Sequence, residues 1–196
     1  TAIPGHNASS AAAEIMKALG EILNVASVPH ETAQPRDCLV QYCSDCRVYV
    51  PAASVEAHCQ QGRCDVEQLR KSRLCGPDKR IFFGSRIVVV DTTSVGPATA
   101  SYCAHGLAKS FALRTQRKDR LYRLSVESKD QEFIVMSMTP NGAICKGTME
   151  VLNSIAEASH GALTFQTALT MLRRANIDAQ GRALIIHKMY FKKRIG

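Results

Sequence analysis

Four residues constrain what this chain can fold into more than any other feature. Cys43 and Cys46 form a Cys-x-x-Cys pair, eleven residues separate Cys46 from His58, and five separate His58 from Cys64. Two thiolates three residues apart on a tight turn can reach one side of a zinc ion. A helix some eleven residues later brings a His and a Cys to the other side and completes a tetrahedron. The residues between fit a small ββα unit. Val48 and Val50 alternate as a short strand, and Pro51 ends it because it lacks an N–H. Ala52 to Gln61 is a helical stretch in which Val55 and His58, three residues apart, face inward together, and Gly62 closes the helix. With four protein ligands the site has no open position for water, so the expected role of Zn2+ is structural rather than hydrolytic. Cys59 would point about 100° away from His58 around the helix, which makes it a poor co-ligand and the first substitute if His58 faces away.

The stretch Cys43-x-x-Cys46-x-Val48-x-Val50-Pro51-x-x-x-Val55-x-x-His58-x5-Cys64 resembles the Cys-Cys-His-Cys zinc fingers. It is most similar to those found as ubiquitin-binding modules in DNA-repair proteins and as small structural fingers elsewhere. The resemblance implies Cys43, Cys46, His58 and Cys64 as ligands, with Val50 and Val55 in the mini-core. It covers residues 43–64 only. The last ligand gap is longer than in the ubiquitin-binding type, and Gln60 stands where that type carries an acidic contact residue.

Six of the eight cysteines fall between Cys38 and Cys75, and Cys103 and Cys145 stand apart. A chain of 196 residues can bury a core without disulfide staples, and it shows no signal peptide. Metal and reduced thiols are therefore expected in place of disulfides. Cys38 and Cys75 flank the finger, either as a second pair or, more often for such residues, as core.

Charge is distributed in blocks. Residues 1–62 hold three Lys/Arg against six Asp/Glu, and residues 63–129 hold fourteen against six. Residues 130–172 hold one against four, and residues 173–196 seven against one, for a formal net charge of +8. Basic blocks favour polyanions, because each cation near a phosphate can release a condensed counterion; alternatively they are solvated faces that keep the chain soluble. The sharpest nucleic-acid candidate is Arg114, Arg117, Lys118, Arg120 and Arg123 with Tyr122 embedded, followed by the tail Lys192, Lys193 and Arg194. Long cations beside an aromatic on a sheet suit phosphate contact and base stacking.

The N-terminal segment predicts a helix from about Ala11 to Val25, capped by Ser9 or Ser10, with Ile15, Leu19, Ile22 and Leu23 on one stripe. Asp65 to Leu74 predicts a basic helix, and Ile81–Phe83 and Arg86–Asp91 predict strands. Residues 93–106 are rich in Ser, Gly, Ala and Thr, without a phosphate-loop pattern. Leu121–Ser128 and Glu132–Met138 predict a β-hairpin around Lys129-Asp130. Thr148–Ala158 and Thr164–Ala175 predict helices, and Ala183–Phe191 a strand, an order that weakly resembles half of a winged helix.

The expected fold class is α+β. The expected segments are an N-terminal helix and linker (1–36), the C2HC finger with the following basic helix (37–76), and a mixed β-rich and helical body with a C-terminal strand (77–196). Ser101-Tyr102-Cys103-Ala104-His105 is the one arrangement that suggests a nucleophile, so a Cys103-dependent enzyme is the third function considered. No nucleophile elbow, phosphate loop or His-Glu-x-x-His is present, so the expectation is a non-enzyme. The leading expectation is a zinc-containing RNA-binding subunit, structural or accessory, of a large ribonucleoprotein such as an organellar ribosome. Its partners would be structured RNA and neighbouring protein subunits, without a membrane. A protein-interaction adaptor whose finger binds ubiquitin or another protein is the alternative. A reducing intracellular compartment is expected, and mitochondrial location follows only from Thr1 in place of Met and the basic composition.

Overall fold

The computed structural model describes residues 6–31, 35–62, 64–72, 74–95 and 100–179. Among these the chain is mixed α and β, with six α-helices, two short 3-10 turns and two sheets. The elements in order are α1 (His6–Val25), β1 (Val40–Cys43), β2 (Val48–Pro51), α2 (Val55–Gly62), α3 (Val66–Lys71), β3 (Lys79–Phe83), β4 (Arg86–Ser94), α4 (Ala100–Glu127), β5 (Glu132–Met138), α5 (Lys146–Ala158) and α6 (165–179). They form two compact units. Of the described residues, one contains 6–29, 92–95, 100–112 and 136–179; the other contains those of 30–91 and 113–135.

In the second unit, β1 and β2 pair antiparallel as a ribbon, with Gln41 opposite Val50, Tyr42 opposite Tyr49 and Cys43 opposite Val48. β3 and β4 form an antiparallel hairpin, Ile81 facing Val88. β5 lies on the other side of β4. Arg86 and Glu132, at the starts of β4 and β5, form an ion pair at 2.7 Å. At the other ends of the strands, the Val95 N–H donates to the Met138 carbonyl at 3.1 Å. The two strands therefore run parallel, which requires a crossover, and α4 supplies it. Tyr122 and Val126 of α4 pack with Val89, Phe133 and Val135 from the strands, and Cys38 and Val40 complete this core. Cys75 is packed against the same cluster, so both flanking cysteines are core residues.

One expectation fails here. Leu121–Ser128 is not a hairpin arm: residues 121–127 are the last turns of α4. The alternation of Leu, Tyr and Val that suggested a strand coexists with a helical period. Tyr122, Ser125 and Val126 are buried while Leu124 is 81% exposed. Packing on the sheet selects the helical period, because the crossover between parallel strands must be long and must bury one stripe. Of the small-residue stretch 93–106, β4 takes the residues to Ser94 and α4 those from Ala100. A backbone break at Gly106, φ 74°, divides α4 into two helical pieces; a side chain there would carry strain.

In the first unit, Ile15, Leu19, Ile22 and Leu23 of α1 are buried as the stripe predicts. The helix starts earlier than expected, at His6, so Ser9 and Ser10 lie inside it rather than capping it. The run of alanines around them favours helix over a cap. Val151, Leu152 and Ile155 of α5 are buried, as are Ala168, Leu169 and Leu172 of α6. The Thr148 hydroxyl donates to the Ser137 carbonyl at 3.0 Å and accepts from its N–H at 2.9 Å, tying the first turn of α5 to β5. Asn176 of α6 donates to the Thr139 carbonyl at 2.9 Å. The expected strand Ala183–Phe191 and the tail Lys192, Lys193 and Arg194 lie outside the described residues.

Candidate metal centre

The β1–β2 ribbon and α2 bring the four expected ligands together. Cys43 ends β1, Cys46 closes the turn that follows, His58 lies mid-way along α2, and Cys64 follows the helix. One ligand atom from each lies within 4.8 Å of all the others. Cys46 Sγ is 3.1 Å from Cys64 Sγ, and Cys64 Sγ is 3.7 Å from His58 Nε2. A tetrahedral zinc site has ligand–ligand edges of roughly 3.5–3.8 Å. The separations in the cluster bracket that edge, so it could hold one ion, and three thiolates with an imidazole are compatible with zinc. A metal there would be held by Cys43, Cys46, His58 and Cys64 and would cross-link the ribbon to α2.

The surroundings are built for converging sulfurs. A Cβ on Gly62 would stand 3.0 Å from Cys64 Sγ and 3.4 Å from Cys46 Sγ, so the glycine makes room for two ligands besides ending α2. Hydrogen bonding from the Cys46 backbone N–H, with help from His58, lowers the Cys43 thiol to about 7. Cys64 is pushed up to about 12 by its contact with the Cys46 thiol, by burial and by Cys43. Sulfurs so crowded favour a shared cation over shared protons. Behind the ligands, Cys43, Val50, Val55, Cys59 and Leu69 form a small core, with Cys64 and Val66 against it. Cys59 is thus a core residue and not a ligand, as its angular position predicts. Val50 and Val55 take the mini-core places the finger resemblance implies.

Other supports were not foreseen. Asp65 caps α3, its Oδ1 accepting from the N–H groups of Glu67 at 2.9 Å and Gln68 at 3.2 Å, worth about 1 kcal/mol. The Asp65–Gln68 spacing is the cap signature that could have revealed it. Asp45, inside the Cys-x-x-Cys turn, accepts from the Asp65 N–H at 3.3 Å, and Glu56 pairs with Arg70 across α2 and α3. Gln41 donates to the Arg70 and Ser72 carbonyls, both at 3.3 Å, fastening the ribbon to α3.

The expected nucleic-acid residues separate into two groups. Lys118 is paired with Asp91 at 2.6 Å and lies 5.7 Å over the Tyr122 ring. Arg123 is held by Asp119 at 2.8 Å and Glu127 at 2.6 Å. Tyr122 is 5% exposed and packs edge-on against Phe133, so its ring faces the core and not a base. Arg114, Arg117 and Arg120 have no ion-pair partner among the described residues. They follow one another at three-residue spacing on α4, rather than on the sheet surface expected. Cys103 lies early in α4, and its side chain is not among those described.

Two buried charges were invisible in the sequence. Arg80 is held by Glu31 at 2.8 Å, Asp37 at 2.6 Å and Gln131 at 3.2 Å. Burial alone would raise the Asp37 carboxyl, but the hydrogen bond and charge of Arg80 outweigh it and hold it low. Asp91, 2% exposed in β4, is raised to about 7 by burial and by Asp78, against the pull of Lys118.

No protein-family model matches the chain, and comparison with curated proteins and with solved structures yields no significant match. No described helix is long and apolar enough to cross a membrane.

Proposed function

We propose that this protein is a zinc-containing RNA-binding protein, a structural or accessory subunit of a larger ribonucleoprotein. The observation that carries the reading is the row Arg114, Arg117 and Arg120 on α4, partly or fully exposed, with no carboxylate to neutralise it among the described residues. An arginine row of this kind suits phosphate, which guanidinium binds in forked geometry. The four-ligand cluster supports the same reading from a second side. With every ligand supplied by the protein, a metal there holds a fold and has no position open for substrate. The compartment, and the ribosome as the particular assembly, belong to this proposal only as the expectation stated from composition.

The test is RNA affinity as a function of salt. Replacing Arg114, Arg117 and Arg120 together by Gln is expected to weaken binding and to reduce the slope of log K against log salt by about 2, three contacts at roughly 0.7 each. Arg123→Gln is the control, since its charge is already met by Asp119 and Glu127, and is expected to change the slope little. Affinity that is independent of salt and of the triple substitution sinks the proposal.

The alternative, a protein-interaction adaptor whose finger binds ubiquitin or another protein, rests on the finger resemblance of residues 43–64. That reading predicts chemical-shift changes in the Val55–Cys64 segment on adding ubiquitin, with little affinity for RNA.

A further inference from the structure

We infer that Cys46 and Cys64 form an oxidative modification site: a hydroperoxide joins them in a disulfide, and the metal is given up while the module stays folded. The inference goes beyond RNA binding and rests on the metal reading of the four-residue cluster. Of the cluster thiols and the adjoining Cys59, these two are the ones an oxidant can reach. Cys46 is exposed and Cys64 half-buried, whereas Cys43 and Cys59 are 1% and 4% exposed. The Cys46 and Cys64 sulfurs stand 3.1 Å apart, inside the ligand–ligand edge of roughly 3.5–3.8 Å in a tetrahedral zinc site. The chain therefore brings this pair closer than sharing an ion requires. Two further observations set the segments side by side. Asp45 Oδ2, next to Cys46, accepts from the Asp65 N–H, next to Cys64, at 3.3 Å. Gly62 gives the sulfurs their room, since a Cβ there would stand 3.0 Å from Cys64 Sγ and 3.4 Å from Cys46 Sγ.

The chemistry balances with hydrogen peroxide as the sole oxidant. The Cys46 thiolate attacks one peroxide oxygen; the O–O bond breaks, an S–O bond forms and hydroxide leaves. The Cys64 thiolate then attacks the Cys46 sulfur; the S–S bond forms, the S–O bond breaks and a second hydroxide leaves. The two sulfurs have lost two electrons, the peroxide has gained them, and solvent protons turn both hydroxides into water. Cys43 and His58 remain, half the ligand set that a structural zinc takes, so the site no longer holds the ion. The bridge spans 18 residues and joins what the metal would join, the turn after β1 and the segment between α2 and α3. A covalent link replaces the coordinate one and goes on restricting the unfolded chain. Metal content and fold are thereby uncoupled.

The experiment treats the full chain, loaded with zinc, with an equimolar amount of hydrogen peroxide. Released zinc is read with a chromogenic chelator, thiols by alkylation and peptide mass, and local stability by amide exchange. Zinc content is measured first, and a chain that takes up none overturns the metal reading and this inference together. The expected result is one zinc released for every two thiols lost, a linked Cys46–Cys64 peptide, and recovery of both thiols and of zinc binding on adding a dithiol. Exchange in α2 and α3 is expected to stay close to that of the zinc form, whereas chelation without oxidation speeds it about a hundredfold. Cys64→Ser removes the second thiol and is expected to leave Cys46 as a sulfenic acid that dimedone traps. A bridge through Cys43 or Cys59, zinc retained after two thiols are lost, or exchange in the oxidised form as fast as in the chelated one overturns the inference. Should the Cys64→Ser chain not fold, the peptide map and the exchange of the native chain decide. None of these readouts involves RNA, so their failure leaves the RNA reading standing.

Discussion

At the residue scale, the candidate metal ligands were legible because the cluster is nearly local. A turn and a short helix deliver all four side chains within residues 43–64, and spacing alone describes both. The geometry around Gly62 adds a prediction. Gly62→Ala puts a methyl group against two sulfurs, and it is expected to lower metal affinity severalfold while leaving the ligand set intact, measured by competition with a chromogenic chelator. Buried charge is the opposite case. Nothing near Asp91 in the sequence marks it as desolvated, since Lys118 and Asp78 reach it only through the fold. Its carboxyl keeps a proton to about pH 7 in the folded protein but only to its ordinary range when unfolded. Between those values the folded state binds more protons than the unfolded, so stability falls as pH rises from about 4 to 7. The effect is on the order of 4 kcal/mol. Asp91→Asn cannot titrate, and its urea midpoint is expected to lose that slope across the same range; an unchanged slope would contradict the assignment.

At the element scale, local periodicity identified β2, β3, β4, β5, α5 and α6 to within a few residues, and it failed at the end of α4. The segment 121–127 satisfies both periods, and only its placement over Val89 and Phe133 decides between them. The consequence is an inside and an outside at helical spacing. Tyr122→Ala is expected to cost about 3 kcal/mol in chemical denaturation, as for other large buried rings, whereas Arg120→Ala two positions away stays within about 0.5 kcal/mol. A hairpin arm over Leu121–Ser128 would instead place Tyr122 and Leu124 on one face, whereas Tyr122 is buried and Leu124 is 81% exposed. The same packing sets Lys118 against Asp91 and Arg123 against Asp119 and Glu127, buries Tyr122, and leaves Arg114, Arg117 and Arg120 without an ion-pair partner among the described residues.

At the scale of the whole molecule, the two units follow contacts and not chain order, and β4, α4 and β5 each contribute residues to both. Metal binding should be felt in one of them. Chelation is expected to speed amide exchange in α2 and α3 by a hundredfold or more, on the order of 3 kcal/mol of lost local stability. Exchange in α5 should remain unchanged. Uniform loss of protection across α2, α3 and α5 would show instead that the units unfold together.

The sequence by itself determined the Cys43, Cys46, His58 and Cys64 cluster, the ββα form of the module around it, the α+β class and the stripe of α1, since each depends on neighbours within a few turns. Tertiary structure decided the rest: the parallel pairing of β4 with β5, the helical state of residues 121–127, the burial of Asp91 and Arg80, and which arginines find an ion-pair partner among the described residues. Those depend on which distant segment removes water from a given side chain. Spacing along the chain carries no record of that partner.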